Sequence, residues 1–414
     1  MPEGRGTGLP ELVSARLASA SFPLTLRLPD GRVESFGRGE PLLEVRAVTE
    51  RGLQALCSLQ ELEVVEAYLR GDVDLDGDLL AAMDLRDVLS DTQLHIKAWT
   101  FVQPLLLGRR RLNPEWIAKH YDSENMQLFA ADEAYNVYTP GVYLSEDDSL
   151  EEGAERKLEY AFESLGLRAG DSLLDVGCGW GGFVRYCARR DVVATGISLS
   201  RHQLEFARRR LEEDGLDATL LYQDFFTYDP GSRFDAISLM GSIEDLSDYD
   251  EVMTRLAAWL RPGGTVYLDF AAVDRRFGVP SFITKYVWPG AFRMVYLPSF
   301  TSALAKHHFD IVEMRNDRRN YHLWVRGGYE RWMRRREEIV EAVGETTWRM
   351  MRLLMAGTAH VMSERSTRAT AYRVVLQPRA PARVGASRKH SARPSARGSL
   401  TDRGEASLAP GSPP

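Results

Sequence analysis

Four glycines fall within six positions of the stretch LLDVGCGWGGF (173–183), directly after an apolar run that predicts a buried strand. Closely spaced glycines let a ligand approach the backbone, because no side chain stands in its way. Gly177, Gly179 and Gly182 fit the G-x-G-x-x-G pattern of sites for nucleotide-like ligands. No Gly-Lys-Ser/Thr follows, which excludes a phosphate-binding P-loop. The stretch therefore predicts a nucleotide-like ligand without identifying it.

Asp175, just before the glycine loop, distinguishes between the candidate ligands. Its carboxylate would repel a pyrophosphate, and the next strand, which ends in TGISLS, lacks the acidic residue that holds the ribose in dinucleotide sites. A ligand with positive charge and no phosphate suits this loop better. S-adenosylmethionine is such a ligand, so we predict that the loop holds its methionine end. The alternative is that the glycines form only a tight turn and that Asp175 is a cap.

The elements that must position these residues lie between residues 155 and 378, where apolar runs alternate with helical patterns. Strands are predicted at SLLDVG, DVVATGISL, ATLLYQDF, FDAISLMG and TVYLDFAA, and later at FDIVEM and AYRVVLQ. Helices are predicted between them, among them YDEVMTRLAAWLRPGG, which we expect to end at its glycines. Repeated βα units of this kind predict an α/β fold with a mostly parallel sheet covered on both faces.

The whole chain divides into four predicted segments. They are a flexible leader (1–18), a small N-terminal α/β domain with lipid binding as one option (19–110), the cofactor-binding domain (111–378) and a disordered tail (379–414). In the small domain, Pro29-Asp30-Gly31 predicts a hairpin, and residues 52–85 have a helical pattern with Gly71 as a stop. The Pro, Ser, Ala, Gly and Arg content of the tail is typical of disorder.

Composition excludes several classes of function. The net charge of −7 argues against general binding of nucleic acid, which requires a basic surface. The three cysteines are too far apart for a metal knuckle, and their odd number gives no disulfide framework, so we predict no metal site and a reducing cytoplasm. No uncharged apolar run reaches about 18 residues, and we therefore expect no transmembrane helix. The sequence leaves the oligomeric state open, with a dimer as one option.

Peripheral contact with the inner face of the membrane is expected from two basic segments. Trp332 and Met333 stand next to Arg334, Arg335 and Arg336, and such a combination can rest on anionic lipid. The arginines of the tail would add to this attraction. The alternative interpretation of the first segment is a solvated helix face.

From about residue 114 to residue 376 the chain resembles the cyclopropane-fatty-acyl-phospholipid synthases and the related mycolic acid methyltransferases. The matching blocks follow one order: HYD (120–122), LDVGCGWGG (174–182), GISLSRHQLEFAR (196–208), YQDF (222–225), LRPGG (260–264), FITKYVWPG (282–290), LPSF (297–300) and WRMMRLLMAG (348–357). Upstream, EAYLRGDVDLDGDL resembles the smaller N-terminal domain of the longer synthases. The resemblance implies a Rossmann-like class I methyltransferase that uses S-adenosylmethionine.

The resemblance also implies which residues hold the cofactor. Gly177 and Gly179 would cradle it, and other residues would hold the ribose (Ser198, Leu199, Gln203), flank the adenine (Asp224, Phe225) or cover the cofactor as part of YTPGVY (Tyr138, Thr139). Simpler roles remain open, since Gln203 also suits a solvated helix position and Asp224 a turn at the end of a strand.

The catalytic residues of the family are matched only in part. In the family, an acyl-chain alkene attacks the sulfonium methyl, and a bicarbonate held by a Cys loop, a Glu, a His and a Tyr removes a proton as a three-membered ring closes. Glu244 in GSIEDL and Tyr321 in RRNYHLW match the Glu and the Tyr. Pro140 stands at the Cys position, and Asp269 in YLDFAA stands at the His position. The Glu-His pair reads Glu244-Asp245.

These departures affect the expected product more than the methyl transfer. An ionised carboxylate at Asp269 would repel bicarbonate, whereas a protonated one could donate a hydrogen bond to it. Glu244, Tyr321 and Asp269 are the predicted catalytic residues, although both carboxylates also suit strand-end positions satisfied by backbone amides. Ring closure through bicarbonate is the weaker expectation, and a methyl- or methylene-branched product stays open.

The sequence thus predicts a C-methyltransferase acting on the double bond of unsaturated fatty acyl chains, carried by phospholipid or a related lipid. One alternative is methyl transfer to a small polyketide-like or aromatic metabolite at the same cofactor site. An alternative of another class is a non-catalytic lipid-binding protein that retains the fold.

Overall fold

The structure, a computed structural model, describes residues 9–20, 22–93, 95–96, 98, 102, 134–246, 248–274, 280–287 and 294–379. The predicted boundary at residue 110 and nearly all of the predicted tail lie outside these ranges, so the division into domains stays a prediction.

The N-terminal part contains a small sheet with the order β2-β1-β3-β4. Its strands are β1 (Leu24–Arg27), β2 (Val33–Phe36), β3 (Leu43–Ala47) and β4 (Val73–Gly77), and its helices are α1 (Glu11–Ala18), α2 (Glu50–Ser58) and α3 (Glu61–Arg70), followed by a short 3₁₀ helix, Met83–Val88. The antiparallel pairing of β1 with β2 confirms the predicted hairpin.

The helical prediction for residues 52–85 is wrong beyond Gly71. That glycine ends α3 in the left-handed conformation, with φ of 81°, as its role as a stop requires. The chain then turns into β4, which pairs antiparallel with β3. Alternation of Val73 and Leu75 with acidic residues is a strand pattern, and it was obscured by the apolar positions on either side.

The large sheet has the order β11-β12-β9-β8-β5-β6-β7, with β10 paired to β9. Its strands are β5 (Ser172–Val176), β6 (Val193–Ser198), β7 (Thr219–Tyr222), β8 (Phe234–Met240), β9 (Leu260–Val273), β10 (Val295–Tyr296), β11 (Phe309–Asn316) and β12 (Thr370–Pro378). The pairings among β5, β6, β7, β8 and β9 are parallel, whereas β12 pairs antiparallel with both β9 and β11. The predicted mostly parallel α/β sheet is thereby confirmed.

The helices of this part are α4 (Leu150–Ser164), α5 (Gly182–Ala188), α6 (Arg201–Asp214), α7 (Tyr249–Trp259), α8 (Leu297–Lys306), α9 (Arg318–Arg334), α10 (Arg336–Val343) and α11 (Glu345–Met362), with a π-helical turn at Ile283–Val287. The expected end of α7 at its glycines is wrong, because the helix ends at Trp259. Leu260 is already extended, and Pro262 has no N–H with which to continue a helix.

The small sheet and the last helices share one hydrophobic core. Leu26 and Tyr68 pack in it together with Trp332, Trp348 and Met351. The buried Arg352 adds polar bonds, since its Nη1 donates to the carbonyl oxygen of Leu75 at 2.9 Å. Helix α11 is therefore held by the N-terminal sheet.

This core corrects the prediction of a lipid-facing Trp332. Its side chain is 3% exposed, and its indole N–H donates to the carbonyl oxygen of Trp348 at 3.4 Å. Arg335 and Arg336 pair with Glu338 and Glu345, at 2.6 Å and 2.8 Å. Trp332 follows the apolar stripe of α9 into the core, and acidic residues compensate two of the three arginines.

Candidate functional site

The candidate site lies where the strand order of the large sheet reverses, at the carboxyl ends of β5 and β8. From this pair the chain continues to β6 and β7 on one side and to β9 on the other. Open α/β sheets bind ligands in the crevice that such a reversal creates. A cavity of about 310 Å³ opens there, lined by residues from both halves of the sheet.

The glycines between β5 and α5 have different functions. A Cβ at Gly177 would lie 2.6 Å from Cβ of Ser242, and one at Gly181 would lie 2.7 Å from Cβ of Ala207. These two glycines allow close packing of the protein itself. Gly179 has a φ of +53°, and a Cβ there would meet no atom closer than 4.0 Å. Because Gly179 lines the cavity, its backbone is the part of the loop that is open to a ligand.

Replacing Gly179 with leucine is expected to abolish binding of S-adenosylmethionine, since the side chain would fill the space above the loop. The matched control is Gly215→Leu at the end of α6, where φ is +65° and the surroundings are equally open. Both variants carry the strain of a left-handed side chain, and only the first would block the cavity. Calorimetric titration should therefore show binding by the control alone, and retained micromolar affinity in Gly179→Leu would contradict the assignment.

Asp175 is buried at the end of β5, where it accepts a hydrogen bond from Oγ of Ser238 at 2.6 Å. Burial raises the pKa of its carboxyl to about 6, against the opposing effects of Ser238 and of the Lys157 charge. The group is thus mainly ionised near pH 7. An enclosed carboxylate on the cavity wall suits a cationic ligand and disfavours a phosphate.

The residues predicted to hold the ribose and adenine line this same cavity: Ser198, Leu199, Gln203, Asp224 and Phe225. Gln203 is buried, and its Oε1 accepts a 3.4 Å hydrogen bond from Oγ of Ser198, so it is not a solvated helix residue. Asp224 accepts from the backbone N–H of Phe226 at 2.6 Å, as a turn former does. The ring of Phe225 packs against Trp259. Their contacts with the cofactor stay predictions.

Tyr138 and Thr139 also line the cavity. The Tyr138 ring meets Trp324 edge to face, with 6.0 Å between the ring centres. Burial raises the pKa of the Tyr138 phenol to about 12, so the hydroxyl stays protonated and available as a donor. These contacts fit the covering role predicted for the segment.

Glu244 lies in the short 3₁₀ helix Ile243–Asp245 that follows β8. The backbone N–H of Ala271 donates to its Oε1 at 2.9 Å, and its Oε2 is buried without a hydrogen-bond partner among the described residues. The carboxyl is enclosed by protein and faces the cavity. Burial raises its pKa to about 8. The backbone-amide alternative therefore accounts for one oxygen and leaves the other free to act on a ligand.

Asp269 forms a buried ion pair with a residue that we did not predict, Lys157 of α4. The Nζ atom lies 2.9 Å from Oδ2, and the two side chains are 1% and 5% exposed. The ammonium also contacts Oγ1 of Thr139, so it joins β9 to the covering segment. The sequence did contain a signal for this lysine, because it lies on the apolar stripe of α4 with Leu150, Ala154 and Leu158.

Tyr321 of α9 completes the polar end of the cavity. Burial raises the pKa of its hydroxyl, and the nearby Glu244, Tyr138 and Asp269 raise it further. Its ring packs edge to face on Trp324 at 5.5 Å. The three residues predicted to be catalytic thus lie at one end of one cavity, although their roles stay predictions.

The other end of the cavity is apolar. Its lining comes from α9 and α11 and includes Val325, Met351, Leu354 and Met355. Flexible methionine and leucine side chains suit an irregular hydrocarbon ligand. A polar end beside the glycine loop therefore continues into a space that fits an apolar chain.

Comparisons with known proteins agree with this geometry. Residues 109–371 match the family described as mycolic acid cyclopropane synthetase. A probable fatty acid methyltransferase from Pseudomonas putida is 27% identical over 367 residues, covering 84% of this chain and 90% of the relative. A cyclopropane-fatty-acyl-phospholipid synthase from Escherichia coli is 30% identical over 243 residues, or 57% and 61% of the two chains.

Among solved structures, the fold is similar to that of a mycolic acid cyclopropane synthase in complex with SAH and CTAB. The TM-score is 0.58 at 20% sequence identity, and the match covers 64% of this chain and 98% of the other. This similarity confirms the Rossmann-like class I methyltransferase fold.

Proposed function

The chain belongs to the mycolic acid cyclopropane synthetase family and is an S-adenosylmethionine-dependent methyltransferase of lipid chains; from this premise we propose that its substrate is the double bond of an unsaturated fatty acyl chain carried by a phospholipid. The observation that carries the proposal is the single cavity that joins the acidic end, with Asp175 and Glu244, to the apolar end between α9 and α11.

The residues of the cavity fit S-adenosylmethionine, because Gly179 leaves its backbone open and Asp175 offers a buried carboxylate. When bound, the cofactor supplies an electrophilic methyl group on a cationic sulfur. Gly179 and Asp175 would hold its methionine end, and Gln203 its ribose. Tyr138 and Trp324 would exclude water from the reacting atoms, which matters because water would trap a carbocation on the acyl chain.

Glu244 would act where positive charge develops. A fixed carboxylate in an enclosed site stabilises such charge more than water does, because it needs no reorganisation during the reaction. The apolar side chains of α11 would hold the acyl chain so that its double bond reaches the methyl group. Shape and hydrophobicity at Met351, Leu354 and Met355 would then decide which position along the chain reacts.

The test supplies methyl-labelled S-adenosylmethionine with vesicles of dioleoylphosphatidylglycerol and, separately, with a metabolite extract. We expect label in the acyl chains and a mass gain of one CH₂ per modified chain. Nuclear magnetic resonance of the product would distinguish a ring from a methyl or methylene branch. Label in a small aromatic or polyketide-like metabolite alone would refute the proposed substrate. Cofactor binding without any transfer would favour the non-catalytic lipid-binding protein.

Contact with anionic membranes is also part of the proposal. No helix among the described residues is long and apolar enough to cross a bilayer. With Arg335 and Arg336 in ion pairs, the exposed Arg334 and the arginines of residues 379–397 are the basic groups left to support it.

We expect vesicles rich in phosphatidylglycerol to bind the protein at low salt and to release it at high salt. Each basic residue near such a surface contributes roughly 1 kcal/mol, and salt screens this attraction. Vesicle pelleting would measure it, with removal of residues 380–414 as the variant and phosphatidylcholine vesicles as the control. Binding that is absent, or that does not change with salt, would contradict the prediction.

A further inference from the structure

The groups around Glu244 do not fit a bound bicarbonate, the base that the family resemblance implies. An anion needs hydrogen-bond donors, and Pro140 has no backbone N–H to offer. The N–H of Ala271 already donates to Glu244 itself, at 2.9 Å. Lys157 is engaged by Asp269 and Thr139. Two phenols that line the cavity, those of Tyr138 and Tyr321, can still donate.

The charge of the same region is also wrong for an anion. Asp175, Glu244, Asp245 and Asp269 all line this end of the cavity. Lys157 compensates Asp269, which leaves an excess of acidic groups. In the ionised state that a base requires, these carboxylates would repel a bicarbonate, at a cost that burial increases. Two phenols beside an excess of acidic groups therefore do not fit this ion.

The Glu244 carboxyl already has the geometry of the missing base. Its Oε1 is held by Ala271, which fixes its orientation, and its Oε2 is buried and unpartnered at the cavity wall. A buried acceptor atom without a partner is costly, and a catalytic role is one reason for which proteins retain such an atom. Anchoring one oxygen while leaving the other free is what positions a general base.

We infer that Glu244 removes the proton itself, through Oε2, and that this enzyme needs no bicarbonate. The inference rests on the proposed function. The alkene π pair forms a bond to the methyl carbon as the S–C bond breaks and its electron pair stays on sulfur. The resulting carbocation on the acyl chain loses a proton to Oε2, giving a neutral carboxylic acid. The electron pair of the broken C–H bond closes a ring or forms a new double bond.

This role predicts how turnover depends on pH, because the carboxyl must be ionised before it can accept a proton. Burial raises the pKa of Glu244 to about 8, so the active form increases as the pH rises towards that value. The titratable groups that line the cavity with it are Asp245 on its own segment, Asp269 on β9, Asp175 on β5, Tyr138, and Asp317 and Tyr321 at the start of α9, with Lys157 paired to Asp269. Protonation of Asp245, whose pKa burial raises to about 7, would lower the pKa of Glu244 by removing a like charge.

The experiment measures methyl transfer to dioleoylphosphatidylglycerol vesicles in argon-purged buffer, with and without added bicarbonate. We expect initial rates that agree within about twofold, and a turnover number that rises with pH towards the pKa of Glu244. In Glu244→Gln the residual rate should lose this pH dependence. Carbon-13 NMR of labelled bicarbonate, with the protein and S-adenosylhomocysteine, should show no saturation transfer that depends on the protein.

A saturable stimulation by bicarbonate beyond twofold, or saturation transfer to the labelled ion, would overturn the inference. A pH dependence that survives in Glu244→Gln would also overturn it, since another group would then be titrating. Absence of methyl transfer at every bicarbonate concentration would instead refute the proposed function, and the inference with it.

Discussion

Replacing Glu244 with glutamine is expected to lower turnover by about 30- to 1000-fold, which corresponds to about 2–4 kcal/mol of transition-state stabilisation. Glutamine keeps the shape and can still accept the hydrogen bond from Ala271. It removes the charge that faces the developing cation and the atom that takes the proton. Binding of S-adenosylmethionine should persist, because the glycine loop and Asp175 do not change. Single-turnover kinetics and calorimetry would measure the two effects separately.

The same substitution should stabilise the folded protein at high pH. The pKa of Glu244 is about 8 in the folded state, above the ordinary value of 4.5. Between these two pH values the folded state keeps the carboxyl proton, whereas the unfolded state has lost it. Stability therefore falls as the pH rises through this window, by at most about 1.4 kcal/mol per pH unit, and the glutamine variant lacks that loss. Near-normal turnover in Glu244→Gln would mean that the chemistry uses another group.

Replacing Lys157 with methionine is expected to lower the free energy of unfolding by about 3–5 kcal/mol, because Asp269 would be left as a buried charge without a partner. The matched control is Lys306→Met, which breaks an ion pair with Asp250 on the surface, where the lysine side chain is 63% exposed. Exposed pairs contribute about 0–1 kcal/mol. Urea unfolding of both variants would compare them directly.

The double variant Lys157→Met with Asp269→Asn distinguishes stability from function. It leaves no unpaired charge, so most of the stability should return. Its turnover should nevertheless be lower than that of the unsubstituted enzyme, because Thr139 loses the ammonium that ties the covering segment to β9. Asp269→Asn alone tests whether Asp269 has taken over the role of the family histidine, in which case turnover falls to a similar extent. A Lys157→Met variant as stable as Lys306→Met would contradict the importance of the buried pair.

The cofactor half of the site could be predicted from the sequence because its signals are local. Asp175 lies near the end of one strand and Gly179 lies in the loop directly after that strand, and the order of βα units determines where the strand ends. The alternation that predicts the sheet is equally local. By contrast, the role of Asp269 depends on Lys157, which is more than a hundred residues away in the chain, and no local pattern connects them.

The same difference between local signals and long-range contacts explains why the prediction of a lipid-facing Trp332 is wrong. Tryptophan beside arginines is typical of a membrane surface, but the pattern does not show whether another sheet covers that side of the helix. The covering residues, Leu26 and Tyr68 among them, come from the N-terminal part of the chain. Which of the charges have partners is likewise a matter of tertiary contacts, as Arg336 with Glu345 shows.

The contacts of α11 with the N-terminal sheet allow the lipid site to change during evolution independently of the cofactor site. Arg352 holds α11 to Leu75, while Met351 and Leu354 of the same helix line the apolar end of the cavity. Substitutions in the small sheet can therefore alter the shape offered to a lipid without touching it. The residues predicted to hold the methyl donor lie in a different part of the molecule, the glycine loop and the ends of β5 to β7, which such changes leave intact. Lipid preference can thus diversify among descendants of this chain while the cofactor stays the same.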